Sequence, residues 1–352
     1  MGHRRALFLS LAAVAALSPA WAYADWSVVF LHGPTARAPS LPSTINGVGP
    51  NMQVGTFGTN QIEHSWRATL WYGSAQSRVN LHPLGALQSS ISATDGFQQV
   101  GTAVFRDPYR YVAGLWTGTA QSWVVLDPLG DRRNSAAYGV DQGRQVGRVD
   151  VDTEGRSWAV VWSGTPASMR NLHPSNTYSS VAYGIQGDFQ VGETTIERLG
   201  QPHASLWNNT WDTWVDLHPP TEEDSAAYDV YNEEQVGFVN HGQGLYHAAL
   251  WYGSAGSWVD LSPKGGGKSM ARAVWDGYQV GEVEMLSPHV HHASLWRGTA
   301  ESWFSLQALL PPEYTSSDAT DIRIVDGKIT VGGSAYNSRF RRSEAVLWIW
   351  TP

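Results

Sequence analysis

One pattern returns seven times along this chain and constrains its fold more than any other property. Its fullest copy runs from Ser225 to Pro263 and reads S-x-A-x-x-V, then Q-V-G, then H-A-A-L-W, then S-W-V-D-L-x-P. The valine of the Q-V-G element falls at Val54, Val100, Val146, Val191, Val236 and Val280, with Val331 in a T-V-G variant. The L-W element follows at Trp71, Trp116, Trp162, Trp207, Trp251, Trp296 and Trp348. A serine opens each unit 11 residues before the valine, at Ser43, Ser89, Ser135, Ser180, Ser225 and Ser269, with a looser seventh opening near Ser317. Successive valines stand 44 to 46 residues apart until a last step of 51. That is the period of one four-stranded propeller blade.

Each unit parses into four short strands. In the third copy these are Ala136 to Val140, Gln145 to Val151, Trp158 to Trp162 and Met169 to His173, with a Gly-containing turn at 141–144. Gly or Pro interrupts every window long enough for a helix, and helical periodicity is absent. Small residues in the first strand suit a crowded axis where neighbouring blades converge. Tryptophans in the third and fourth strands suit the wider wedges between blades, where aromatic burial stabilises most. Tyr138, Tyr183 and Tyr228 share one position in the first strand; alternation leaves open whether they line a central channel or plug the core.

The two ends favour a ring. Residues 25–32 resemble a fourth strand without the preceding three, whereas the C-terminus supplies three strands and lacks a fourth. A ring closed by the N-terminal strand explains both, and an open solenoid would instead want polar caps. The expected fold is all-β: a seven-bladed β-propeller of four-stranded blades, closed by the N-terminal strand joining the C-terminal blade. Residues 25–352 form one domain, with blades at about 43–83, 89–128, 135–174, 180–219, 225–263, 269–306, and 317–350 plus 25–32.

The H-A-x-L-W element, flanked by V-G and D-L-x-P, resembles the HAF-type extracellular repeat of secreted bacterial proteins. The likeness spans about residues 43 to 348 and is densest at His203 to Trp207, His247 to Trp251 and His292 to Trp296. Ser or Ala stands here in place of the family's Phe. The resemblance implies an exported repeat protein and carries no catalytic residues.

Export agrees with the first 24 residues, which read as a signal peptide. Arg4 and Arg5 precede an apolar stretch from Ala6 to Leu17, and Ala22-Tyr23-Ala24 forms an A-x-A cleavage site before Asp25. A secreted or periplasmic location follows. The apolar stretch is too short for a permanent membrane span, and no later segment is apolar enough. Without the leader, 21 basic residues face 31 acidic ones, a balance that argues against a nucleic-acid partner. The absence of Cys excludes disulfides and thiolate chemistry, so the core alone must hold the fold.

Histidine placement is the most function-like signal. His32, His82, His173 and His218 end fourth strands; His203, His247 and His292 begin third strands; His64, His241, His289 and His291 lie in the connections between second and third strands. The parse puts all of them on one face of the disc. A histidine recurring once per blade is most simply a structural hydrogen-bonder. No cofactor is expected, the alternative being a divalent metal ion held by His289, His291 and His241, since H-x-H on a strand puts both rings on one side. Aromatic residues outside the repeat marks suit stacking on sugar rings: Trp66, Trp211 and Trp275, with Tyr109, Tyr111 and Tyr246. The candidate ligand-binding set is therefore His64, Trp66, Tyr109, Tyr111, Trp211, His241, Tyr246, His289 and His291. Gly265 to Ser269 lacks the first glycine and the helix of a phosphate-binding loop. The expected function is a binding module or scaffold for carbohydrate or protein, acting through one face. The alternative is a secreted polysaccharide lyase or hydrolase using the histidine face.

Overall fold

Each repeat unit folds as its period demands, into a four-stranded antiparallel sheet, and seven such sheets stand in a ring. The computed structural model describes residues 25–33, 41–60, 65–127 and 133–352. The leader and His64 lie outside them. Blade 5 shows the plan, with strands Asp224–Tyr231, Glu234–Asn240, Tyr246–Trp251 and Val259–Asp260 in spatial order from axis to rim. First strands of adjacent blades meet around the axis. Blade 7 combines Tyr314–Val325, Lys328–Asn337 and Arg342–Trp350 with the N-terminal strand Trp26–Phe30, which pairs antiparallel with the last, Trp26 opposite Trp350 and Phe30 opposite Val346. The ring closes as its ends imply. No helix among the described residues is long and apolar enough to cross a membrane.

In blades 1 to 6 the fourth strands are shorter than the expected five residues; in blade 3 Arg170–Asn171 replaces Met169 to His173. One further rung follows, Leu172 N–H to the Ala159 carbonyl at 2.9 Å. Pro174 then offers no donor and the ladder ends. The leucine at that place turns inward in every blade, and Leu31, Leu81, Leu126, Leu172, Leu217, Leu261 and Leu306 are fully buried.

The repeat marks explain themselves as links. The glutamine of Q-V-G accepts a hydrogen bond from the backbone N–H two residues beyond the tryptophan, at 2.7 to 2.8 Å in six blades. The opening serine works between blades: Ser225 Oγ accepts the Ala204 N–H of blade 4 at 2.9 Å. The same bond recurs at all seven junctions, including Ala345 of blade 7 to Ser43 of blade 1.

Every first strand also carries a β-bulge at one place, between Ala227 and Asp229 in blade 5 and at equivalent positions in the other six. The bulge swings a carbonyl toward the second strand, and this is why Q-V-G needs its glycine. A Cβ on Gly237 would stand 1.8 Å from the Ala226 carbonyl oxygen, and Gly55, Gly101, Gly147, Gly192 and Gly281 are nearly as tight. In blade 7 the strand register moves this place to Gly333, at 2.0 Å from the Asp318 carbonyl, one residue beyond the T-V-G glycine. Gly237→Ala is expected to lower unfolding stability by roughly 1–3 kcal/mol through this overpacking. Gly256→Ala, in a turn with open space around it, serves as the control. Equal urea midpoints for the two variants would contradict the bulge account.

Candidate functional site

The ends of fourth strands and the connections between second and third strands open on one face of the disc, so the described histidines beyond the leader share it. Four of them belong to the junctions. Nδ1 of His32, His82, His173 and His218 lies 2.7 to 2.9 Å from Oγ of Ser43, Ser89, Ser180 and Ser225. Burial lowers their affinity for protons, taking His32 and His173 down to about 4 and shifting His82 and His218 the same way. They are neutral at physiological pH and act as fixed hydrogen-bond partners. Where the histidine is absent, Ser262 meets Ser269 at 2.5 Å and Asp127 pairs with Arg110.

The sequence-predicted site residues are distributed around this face and its rim. Trp66 begins the third strand of blade 1, Ser65–Trp71, and is half-buried. Tyr109 and Tyr111 project from blade 2, exposed, with ring centres 6.2 Å apart. Trp211 stands in the short turn before the fourth strand of blade 4, beside Pro174 and Ile196. His289 bonds Glu284 at 3.1 Å, and His291 lies 3.4 Å from Asp318, a bond that raises its proton affinity. In blade 5 His241 follows the second strand and Tyr246 opens the third, and His241 there meets His247 and Asp260.

A further concave site lies elsewhere, on the axis. A cavity of about 280 Å³ is lined by the bulged residue of every first strand: Asn46, Ser92, Tyr138, Tyr183, Tyr228, Arg272 and Thr320. An extra residue on a bulge loses its place in the ladder and aims its side chain anew. That resolves the three tyrosines, which line the channel. Tyr138, Tyr183 and Tyr228 pack side by side with ring centres 5.4 and 5.6 Å apart, and the Arg272 guanidinium lies 5.1 Å over Tyr228 while Nη2 donates to Glu282 at 2.6 Å. Across the channel, Asn46 and Thr320 donate to inner-strand carbonyls of the next blade, each at 2.7 Å. At the mouth, Asp141, Gln186 and Trp275 end first strands and Asp95 follows one, all beside the turns to the second strands. The cavity therefore opens on the face opposite the histidines.

Besides Arg272, Asp95 and Asp141, the cavity is lined by Asp229, Asp321 and Arg323. Asp229 and Asp321 occupy the position held by Gly47, Ala93, Gly139, Gly184 and Ala273 in the other blades. Asp229 accepts the Val274 N–H at 2.9 Å and Asp321 accepts the Val48 N–H at 2.6 Å. Burial raises both, Asp229 to about 6 and Asp321 to about 7, the latter helped by repulsion from Asp229. Folding therefore favours their protonated forms. That contribution is full below the unfolded value near 4 and is lost as pH rises through 6 to 7. Arg323 lies 3.9 Å over Trp275, and its Nε–H is buried with no acceptor among the described residues. Sequence reasoning singled out Trp275 and missed Arg272, Asp229, Asp321 and Arg323. The departure from Gly and Ala at the two aspartate positions was the available signal.

No protein-family model and no curated protein sequence matches the chain. Among solved structures it is similar to a puromycin hydrolase, with a TM-score of 0.55, 10% identity, and coverage of 90% of this chain and 56% of that one. It is also similar to a prolyl endopeptidase (TM-score 0.54, 10% identity, 90% and 52% covered). A puromycin-hydrolyzing peptidase of Mycobacterium tuberculosis gives a TM-score of 0.54 at 12% identity, with 90% and 56% covered. The chain spans about half the length of these proteins. At such identities the likeness concerns the fold alone, and in fold this chain is a seven-bladed β-propeller.

Proposed function

We propose that this chain is an exported binding module of the HAF repeat type that takes a carbohydrate ligand at the axial mouth. The observation that carries the reading is the buried Nε–H of Arg323, a donor with no acceptor among the described residues, at the wall of an aromatic-lined cavity. Burying such a group is costly, and a hydroxyl-rich ligand would satisfy it. Tyr138, Tyr183, Tyr228 and Trp275 offer ring surface nearby, as sugar recognition requires. The repeat serines, glutamines and four junction histidines are already engaged in holding blades together. The leader-like residues 1–24 support an exported location.

Oligosaccharide arrays followed by calorimetry test this. Arg323→Ala is expected to weaken binding at least about tenfold, the loss of one charged hydrogen bond, whereas Trp211→Ala at the rim leaves it unchanged. No binding to any glycan, or binding lost in Tyr109→Ala or Tyr246→Ala and kept in Arg323→Ala, overturns the axial site. A second reading, a secreted enzyme that cleaves polysaccharide, draws on Asp229 and Asp321, whose raised proton affinity suits acid–base work. It requires release of new sugar ends that Asp321→Asn abolishes.

A further inference from the structure

Blade 5 departs from its siblings in the connection between its second and third strands. Asn240 Oδ1 accepts the Gly242 N–H at 3.0 Å, and His241 N–H and Leu245 N–H close the loop on Leu245 and Gly242 carbonyls at 3.1 Å each. Gly242, Gln243 and Gly244 all take positive φ, which folds the loop back on the blade. The His241 ring thereby comes to 4.4 Å from the His247 ring, nearly perpendicular to it.

Blade 4 shows what is different. There His203 Nδ1 lies 2.9 Å from Asp216, and the ring stacked on it at 4.0 Å is His218, tied to Ser225. In blade 5 the pair recurs as His247 and Asp260 at 2.8 Å, but Ser262 replaces the junction histidine. The ring that packs on His247 is now His241, and its Nδ1 is held by a carboxylate, Glu222 Oε2, at 2.7 Å. A carboxylate on Nδ1 fixes the imidazole with its proton there and leaves the Nε2 lone pair free, the usual outer-shell arrangement of a metal-binding histidine. Ligand atoms of His241, His247 and Asp260 all lie within 4.8 Å of one another. A zinc-sized ion sets ligand separations of roughly 3.3 Å, given bond lengths near 2.0–2.1 Å, and on binding it takes the place of the hydrogen bond between His247 and Asp260. Asp260 is braced for this by accepting the Ser262 N–H at 2.8 Å through its other oxygen. Glu223 and Asp224, which follow Glu222, bond Asn240 at the base of the loop and add negative potential, while Lys268 lies over the Tyr246 ring.

We propose that His241, His247 and Asp260 bind one divalent ion of the zinc class, with Glu222 as the positioning residue for His241. Two imidazoles and one carboxylate select borderline ions over calcium or magnesium, and three protein ligands leave a position open to water. The site is distinct from the axial cavity and does not depend on it.

The test is calorimetric titration of the chelator-treated full chain, carrying no oligohistidine tag, with zinc and separately with cobalt. One equivalent of zinc binds, cobalt develops visible absorption bands, and the melting temperature rises with zinc. His241→Ala and His247→Ala abolish saturable binding, and Glu222→Gln weakens it about 10- to 100-fold, the range for outer-shell partners. His289→Ala and His291→Ala leave it unchanged. All five variants are checked for native melting in the absence of metal. Absence of stoichiometric binding, or binding indifferent to His241→Ala, or loss only in His289→Ala and His291→Ala, overturns the proposal.

Discussion

Removal of residues 25–33 is expected to lower the thermal midpoint by about 10 °C or more, or to abolish cooperative unfolding, as read by circular dichroism. The segment does three jobs at once. As a strand it pairs with Arg342–Trp350 over five residues, and Leu31 N–H adds a rung to the Ala345 carbonyl at 2.9 Å. As packing, Trp26 and Phe30 enter the wedge toward blade 6, where Phe30 stacks on Tyr314 at 4.5 Å. Leu31 enters the wedge toward blade 1, fully buried among Ile45, Val48, Phe57 and Trp71. As a clamp, His32 meets Ser43 at 2.7 Å, and that serine also accepts the Ala345 N–H at 2.9 Å. Truncating one buried Leu costs roughly 2–5 kcal/mol and one buried Trp roughly 3–5. Together they rival the whole stability of a typical domain, about 5–15 kcal/mol. Leu31→Ala alone should reproduce part of the loss. A truncated chain that melts with the full one would mean the ring does not depend on this closure.

Trp251→Ala is expected to cost roughly 3–5 kcal/mol in urea unfolding. Its ring fills the wedge between blades 4 and 5, against Val191, Leu206 and Leu217 on one side and Val230 and Val239 on the other. Its indole N–H finds no acceptor among the described residues, as is true of all seven tryptophans at this position. The contribution is therefore packing alone, and Trp251→Phe should lose only about 1–2 kcal/mol, the share of the missing ring volume. A Trp251→Ala variant within about 0.5 kcal/mol of the parent, the scatter of surface substitutions, would move the wedge core elsewhere.

The repeat was legible because its residues act locally or at fixed offsets. Gln235 reaches Gly253 within its own blade, and Ser225 reaches the blade before it, so each bond reappears at the repeat period. The bulge was not legible. Two residues opposing one is a property of strand pairing, and nothing in S-A-A-Y-D-V announces that Tyr228 is the extra residue. Without the bulge the aim of Tyr138, Tyr183 and Tyr228 could not be derived, and Arg272 at the same position went unseen. His289 and His291, expected in a connection, instead open the third strand of blade 6, His289–Trp296, because the second strand runs on to Leu286; both lie on Glu284's side and draw on carboxylates there. The H-x-H reading could not say which carboxylates stood within reach.

Seven blades, their phase and the closure by residues 25–32 follow from the sequence by itself, because a repeat too small to bury its own core must stack on copies of itself. The axial cavity, the aspartates raised within it and the meeting of His241 with His247 and Asp260 were decided only in three dimensions. They arise between blades, or where one loop folds back on its own sheet. There the distance between side chains is set by register and backbone sign, and spacing along the chain carries no information about it.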